Sequence, residues 1–287
     1  MKCPNQTCVN HDPSGSDWYL KYGYFTPKNT RQKTQRYKCK NPSCGKIFSS
    51  HTEKDNAWQK KPSINIPLFK LLVSGVSLRR ASEILNVDYH TVVFHFDYLA
   101  EQAKDLHREH LRKIQTSFIQ VDELETFLHA RAKVLSVPMA VRFKTGEILG
   151  FTVAKMPAKG HLADIGINHY KWFVDERPAK FQAMLASIKD CLKPAITIKS
   201  DAKGAYKTWI ANVIPQAQVI QKVGNKKLPA GSPKPFDDLF AINNTFARMR
   251  HDMNRLARKT WSTTKSISGL EKHIWLYVAW NNKYKIK

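Results

Sequence analysis

Ser117-Phe-Ile-Gln-Val-Asp-Glu-Leu-Glu-Thr-Phe127 is the stretch that decides the fold of the second half of the chain. Its apolar residues recur with the spacing of a β-strand that has one face in a protein core. Asp122 lies in the middle of this strand, where an unpaired carboxylate is costly to bury. Glu123 and Glu125 fall on the opposite face and are expected to be solvated. The pattern therefore singles out Asp122 as a candidate functional acid.

The segments after this strand predict alternating strands and helices. Residues 134–143 and 148–154 complete an antiparallel meander around the turn Lys144-Thr-Gly-Glu147. The remaining expected elements are a helix over 179–191, a strand over 195–201, a helix from Ala202, a strand over 218–221 and a long helix from Asp238. This order predicts an α/β, RNase H-like catalytic domain over 113–287, with a mixed five-stranded sheet and flanking helices.

A second acid, Asp201, ends the predicted strand over 195–201. If neighbouring strands bring Asp122 and Asp201 together, two like charges at close range require a cation. Two Mg²⁺ (or Mn²⁺) ions would balance them and would serve phosphodiester chemistry.

The long helix from Asp238 supplies the candidate third ligand. Its predicted core stripe consists of Leu239, Ile242, Phe246, Met249, Met253 and Leu256. Asn243 lies on the adjoining stripe, where its amide oxygen can coordinate Mg²⁺ or order a metal-bound water. Arg250, two turns later, would face the same way and hold a phosphate or the DNA end. A polar residue near a helix cap is the alternative interpretation of Asn243.

Two cysteine doublets mark the N-terminus, Cys3-Pro-Asn-Gln-Thr-Cys8 and Cys39-Lys-Asn-Pro-Ser-Cys44. Four thiolates on two short knuckles are the ligand set of a tetrahedral structural zinc site. The sequence therefore predicts a zinc-ribbon-like module over residues 1–56 that binds Zn²⁺ through Cys3, Cys8, Cys39 and Cys44. Four unrelated free cysteines are the alternative. The fifth cysteine, Cys191, is expected to be an ordinary buried thiol.

Residues 57–112 predict a helix-turn-helix DNA-binding domain. A helix over 64–72 is followed by one that Ser77 caps and that buries Ala81, Ile84 and Leu85. A turn at 86–88 leads to a second helix that buries Val92, Val93 and Phe96. The expected DNA-facing residues are Arg79, Arg80, Tyr89, His90, Thr91 and His95. A plain helical hairpin used for packing or dimerisation remains the alternative.

The charge of the chain favours a nucleic-acid partner. The 287 residues carry 47 Lys and Arg against 23 Asp and Glu, a formal net charge of +24. Such an excess is typical of a surface that neutralises phosphates. No apolar run approaches the roughly 20 residues that span a bilayer, and the N-terminus has no signal-peptide core. We therefore expect a cytoplasmic, nucleoid-associated protein without a membrane partner.

These motifs together resemble the DDE-type transposases of bacterial insertion sequences. The residues that carry the resemblance are Gln120-Val-Asp-Glu-Leu-Glu-Thr-Phe127, Lys199-Ser-Asp-Ala-Lys-Gly-Ala-Tyr206 and Ile242 to Thr260, which includes Asn254-Arg-Leu-Ala-Arg-Lys-Thr260. The resemblance implies that Asp122 and Asp201 hold the catalytic metals and that Arg250 is the basic residue of the last helix. Asn243 stands where the family has a glutamate, and some insertion-sequence groups are similar in carrying Asn there.

The resemblance also implies partners and an activity. The partners are the terminal inverted repeats and the target DNA, bound by a homodimer or a larger assembly. Flanking DNA backbone would be held by the basic residues Arg248, Arg255, Arg258, Lys259 and Lys265. The activity would be 3′-end cleavage and strand transfer. The alternatives are a transposase-derived DNA-binding protein or repressor with weakened or no catalysis, and an RNase H-like nuclease acting on RNA–DNA hybrids or junctions. The predicted helix-turn-helix disfavours the nuclease, which would recognise shape alone.

Overall fold

The structure, a computed structural model, describes residues 1–12, 15, 17–26, 33–49, 59, 61–222 and 237–286. The chain divides into two compact units, Met1–Asn65 and Ile66–Ile286. The predicted helix-turn-helix and catalytic segments lie in the second unit apart from the first residues of the former. The predicted boundary at residue 56 lies outside the described residues.

The first unit contains an antiparallel sheet of β1 (Tyr19–Phe25), β2 (Thr34–Cys39) and β3 (Ile47–Ser49). Its small core is aromatic: Trp18 stacks on Phe48 with 5.2 Å between ring centroids. Cys3, Cys8 and Cys39 are buried in the same cluster. Because so few apolar side chains are available, a metal bound by these thiols would supply folding free energy that the core lacks.

The second unit begins with three helices, α1 (Asn65–Val73), α2 (Leu78–Ile84) and α3 (Tyr89–Leu111). Ser77 caps α2, as predicted, by accepting a 3.3 Å hydrogen bond from the Arg80 amide. Asp88 caps α3 through the amide of His90 at 2.8 Å. Asn86 adopts a φ of 49° in the turn between them, a conformation that asparagine tolerates well.

Two predictions about these helices are wrong. Ile84 is 53% exposed, and His95 is 1% exposed where a DNA-facing residue was expected. His95 is buried because α3 has 23 residues and contacts a C-terminal helix. The core-facing stripe of α3 therefore includes Val92, Phe96 and Leu99, with His95 between them. Burial also lowers the pKa of His95.

The central sheet has six strands among the described residues, with bounds β4 (Thr116–Phe127), β5 (Val134–Arg142), β6 (Ile148–Phe151), β7 (Ala154–Lys155), β8 (Leu192–Ser200) and β9 (Gln218–Gln221). The order is β6-β5-β4-β8-β9, and β7 pairs with β5. The β4–β5 and β5–β6 pairs are antiparallel, whereas β4–β8 and β8–β9 are parallel. The sheet is therefore mixed, as expected.

The third predicted strand is divided into β6 and β7, so the expected count of five strands is one short. Pro138 of β5 accepts a 3.1 Å hydrogen bond from the Thr152 amide. Proline has no N–H to return the second bond of that pair. The ladder is consequently interrupted between Phe151 and Ala154.

Helices cover both faces of the sheet, with bounds α4 (His161–Tyr170), α5 (Arg177–Ile188), α6 (Ala205–Ala211), α7 (Phe240–Asp252) and α8 (Ile267–Asn281). Ile119 and Val121 of β4 pack in one core with α5 and α6. Leu124 packs in the other core with α7 and α8. Successive side chains of β4 point to opposite faces of the sheet, so alternate residues of this strand face different sets of helices.

The predicted stripe of α7 is confirmed, because all six of its apolar residues are 4% exposed or less. The helix is shorter than expected, since Met253 adopts an extended conformation and Asn254–Leu256 forms a 3₁₀ turn. Trp261, in the segment after α7, is fully exposed. Over the described parts of the chain, no helix combines the length and the apolar character that crossing a membrane requires.

Candidate metal and nucleic-acid sites

The four N-terminal cysteines converge as predicted. All their sulfur atoms lie within 4.8 Å of one another, with Cys3 Sγ 3.6 Å from Cys44 Sγ and Cys8 Sγ 3.8 Å from Cys39 Sγ. Zn–S bonds of about 2.3 Å place the sulfurs of a tetrahedral site about 3.8 Å apart. The cluster can therefore bind a structural metal such as zinc.

Asparagine side chains surround these sulfur atoms. The Nδ2 atoms of Asn5, Asn10 and Asn41 donate to Cys44, Cys39 and Cys8 at 3.5, 3.3 and 3.4 Å. Such donors stabilise the thiolate form, which is the form that binds metal. The backbone amide of Lys46 and the side chain of Asn5 lower the pKa of Cys44 to about 7, whereas burial raises the pKa of Cys3 to about 12.

Asp122 lies on β4, and Asp201 directly follows the neighbouring strand β8. Gln120 of β4 pairs with Lys199 of β8 in parallel register, and each aspartate comes two residues after one member of this pair. Strand β8 ends at Ser200, whereas β4 continues to Phe127, past the carboxyl end of β8. Asp201 there accepts a 3.1 Å hydrogen bond from the amide of Lys203.

The environment of Asp122 disfavours a negative charge. Burial, together with the nearby Asp201 and Glu123, raises the pKa of this carboxyl to about 6, against the opposing effect of the Glu123 amide, which donates at 2.7 Å. A cation beside both aspartates would relieve this cost. The two acids thus form an electrostatically strained pair.

Glu123 is not solvated, which corrects the expectation from strand alternation. Its side chain is 8% exposed and forms an ion pair with Lys203. It accepts hydrogen bonds from Ser136 Oγ at 2.9 Å and from Tyr206 OH at 3.0 Å. Alternation predicted that Glu123 lies opposite Asp122 but not that α6 covers that face. The nearby sequence Lys203-Gly-Ala-Tyr206 was the available signal, since it offers a cation and a hydroxyl next to Asp201.

Asn243 is exposed, and its Nδ2 atom donates to Asp237 Oδ2 at 2.7 Å. Asp237 also pairs with Lys222 at 2.8 Å, and sequence reasoning overlooked this acid. Within the described residues, the cysteine cluster is the one group of three or more His, Cys, Asp or Glu side chains close enough to hold a metal. Asp122, Glu123 and Asp201 therefore do not form such a group.

Arg250 lines a cavity of about 400 Å³ with Arg131, Arg258, Glu125 and Phe127. Its Nε atom is buried and, among the described residues, has no hydrogen-bond partner. Burial and the neighbouring Arg258 lower the pKa of Arg250, while Glu125 and Asp122 favour its charged form. A cavity with three arginines near the aspartates is suited to an anion.

The predicted DNA-facing residues of the helix-turn-helix are on the surface, apart from His95. Arg79 lies over the ring of Tyr89, with 5.9 Å from Cζ to the centroid. Arg80 pairs with Glu83 at 2.7 Å. His90 is exposed and Thr91 is half-buried. Phe94 of α3, which was not among the predicted DNA-facing residues, is 54% exposed.

The basic residues after α7 differ in exposure. Arg258 and Lys259 are exposed. Arg255 is largely enclosed: burial lowers its pKa to about 10, and its Nη1 atom donates to the Gly269 carbonyl at 2.8 Å.

Comparison with known proteins adds no relative: no family model matches the chain, and no curated protein matches its sequence.

Proposed function

We propose that this chain is a transposase of the DDE class that binds the ends of its own element and cleaves and joins DNA there. The observation that carries the proposal is the placement of Asp122 within β4 and of Asp201 directly after the parallel strand β8, where burial and the nearby Asp201 raise the pKa of Asp122. Paired carboxylates of this kind are suited to divalent cations and phosphodiester chemistry.

The sheet supports this proposal. An antiparallel meander followed by two parallel strands, in the order β6-β5-β4-β8-β9, agrees with an RNase H-like topology. In such an arrangement Asp122 lies on the central strand and Asp201 follows its parallel neighbour. A divalent metal, when bound, supplies Lewis acidity at the scissile phosphate. Asp122 and Asp201 would hold it, with Asn243 as a neutral oxygen ligand.

The protein's own side chains position these groups. Glu123 and Lys203 form an ion pair next to Asp122, and the Lys203 amide orients the Asp201 carboxylate. Arg131, Arg250 and Arg258 would hold a phosphate of the bound strand in the cavity beside Asp122. The helices α2 and α3 would present Arg79, Arg80 and Tyr89 to a DNA groove.

Four further roles belong to this proposal. His90 and Thr91 would contact bases, and Lys259 would contact backbone phosphates together with Arg255. The cysteine module would bind Zn²⁺ and extend the DNA contact. Cleavage and joining involve two DNA ends, so a homodimer or larger assembly would act on the inverted repeats and the target.

The deciding experiment is cleavage of a labelled duplex carrying the DNA that flanks the coding sequence, with Mg²⁺ or Mn²⁺. The wild-type protein is compared with Asp201→Ala and with Asp164→Ala, an exposed aspartate of α4. We expect metal-dependent nicking that disappears in Asp201→Ala and persists in Asp164→Ala. Nicking that survives in Asp201→Ala contradicts the proposed site.

A DNA-binding protein or repressor without catalysis is the second candidate, and Asn243 favours it. Its amide is exposed and engaged with Asp237, and among the described residues Asp122 and Asp201 form no group of three acidic or His side chains close enough to hold a metal. This candidate predicts tight duplex binding without cleavage under either metal, and equal binding by wild type and Asp201→Ala.

A further inference from the structure

A second cavity, here called the junction cavity, lies apart from the aspartate pair. It has a volume of about 370 Å³ and is lined by residues of the α1–α2 turn, α2, α3 and the segment 254–265, with His273 of α8. That volume lies within the range of roughly 300–1,000 Å³ of sites that bind small ligands. The helix-turn-helix and the segment that follows α7 thus share one cavity.

The walls of the junction cavity are positively charged. Arg79, Arg255 and Lys265 line it, and among the described residues that line it there is no aspartate or glutamate. Ser77, Ser262 and Thr263 add hydroxyl groups. Three cations and several hydroxyls without a carboxylate are suited to an anion with several acceptor oxygens.

Arg255 carries the strongest local signal. Its charge is held in a largely enclosed position, and its Nη1 atom donates to a neutral carbonyl, that of Gly269. His273 beside it stays neutral, because burial and Arg255 lower its pKa to about 3, and its Nε2 atom pairs with the Leu72 carbonyl at 2.8 Å. An enclosed cation without a carboxylate is costly, and a bound anion would offset the cost.

The turn that forms one wall is held in place. The side-chain Nδ2 atom of Asn254 donates to the Gly75 carbonyl at 2.6 Å, and Gly75 has a φ of 81°. A Cβ atom at Gly75 would come within 3.2 Å of the Asn254 side chain. The close approach fixes the spacing between the helix-turn-helix and the 3₁₀ turn after α7.

We propose that the junction cavity binds a phosphodiester group of the DNA strand that the helix-turn-helix contacts. The inference rests on the proposed function for its choice of DNA. Arg79 belongs to α2 and Lys265 to the segment after α7, so a single phosphate between them would tie the DNA-reading helices to the catalytic part of the unit. The apolar floor, with Leu72 and Phe96, accommodates the adjoining sugar.

The test is a double-substitution cycle on exposed residues. Arg79→Gln, Lys265→Gln and the double variant are compared for binding of the labelled flanking duplex in EDTA. Lys70 is an exposed lysine of α1 outside the cavity. Lys70→Gln serves as the matched control, both as a single variant and combined with Arg79→Gln. Circular dichroism and thermal unfolding establish that each variant is folded.

We expect Arg79→Gln and Lys265→Gln each to weaken binding by about tenfold and to lower the slope of log affinity against log salt by about one. Because both would hold one phosphate, the double variant should lose clearly less than the product of the two effects. The effects of Arg79→Gln and Lys70→Gln should multiply. Multiplying effects for Arg79 and Lys265, or unchanged binding, overturn the proposal.

Inorganic phosphate separates the two sources of the anion. If it raises the unfolding temperature of the wild type but not of the double variant, while both bind the duplex equally, the cavity takes free phosphate and the DNA proposal is overturned. The cycle runs without metal, so its result is independent of the cleavage by which the proposed function is tested.

Discussion

Glu123→Gln tests whether the network behind the aspartate pair is a structural support. The substitution keeps the size of the side chain and removes its charge. The Glu123 carboxylate is 8% exposed and its partner Lys203 is 27% exposed, while Ser136 and Tyr206 are buried. An amide has one oxygen for three donors, so one of its NH₂ protons would face Ser136, Tyr206 or Lys203.

The magnitude follows from these contacts. Losing a hydrogen bond to a charged group costs about 1.5–3 kcal/mol, and a partly exposed ion pair adds about 1 kcal/mol or less. We expect Glu123→Gln to lower the free energy of unfolding by about 3 kcal/mol, which is a fall of about 6–12 °C in Tm for a unit of this size.

Glu125→Gln is the matched control on the same strand. Its carboxylate is 52% exposed and pairs with Lys159, which is 75% exposed, so the expected loss is about 0–1 kcal/mol. Guanidinium unfolding followed by circular dichroism measures both variants. Equal stabilities of Glu123→Gln and Glu125→Gln would refute the reasoning, because the buried network would then contribute nothing.

Two further predictions concern the metal sites. Cys39→Ser should abolish binding of about one zinc ion per chain, measured by atomic emission after desalting, whereas Cys191→Ser should retain it because Cys191 is buried elsewhere and donates to the Ile188 carbonyl. Without metal, the pKa of Asp122 is about 6 in the folded protein against an ordinary 3.8, so folding favours the protonated carboxyl. The stability of the folded protein is therefore unaffected by this group below about pH 4 and falls as the pH rises through about 6, where the buried carboxyl ionises. Asp122→Asn should therefore be about 3 kcal/mol more stable than wild type near neutral pH, and this gain should vanish below about pH 4. A gain that persists in acid would show that titration of Asp122 is not its cause.

Much of the local structure followed from spacing alone. The alternation along residues 117–127 and the three-and-four spacing from Leu239 to Leu256 correctly predicted a strand and a buried helix stripe. The Ser77 cap followed from a hydroxyl before an apolar helix. These features depend on neighbours within a few residues, so the sequence contains their cause.

Features that depend on what packs against an element were not predictable in the same way. His95 was expected on the surface, yet the length of α3 and its packing with α8 bury it. Glu123 was expected in water, yet α6 and its flanking loop cover it with Tyr206 and Lys203. The environment of a side chain depends on segments distant in the sequence.

The sequence by itself determined the two cysteine doublets, the helix periods and the positions of Asp122 and Asp201 relative to predicted strands, because each is a short-range pattern of residue types. The tertiary structure decided that β4, which carries Asp122, pairs in parallel with β8, which Asp201 follows, that Asp237 engages Asn243, and that Arg79 and Lys265 share a cavity. These relations join residues far apart in the chain. Strand register and helix packing fix them through the summed burial of both cores, which no local pattern encodes.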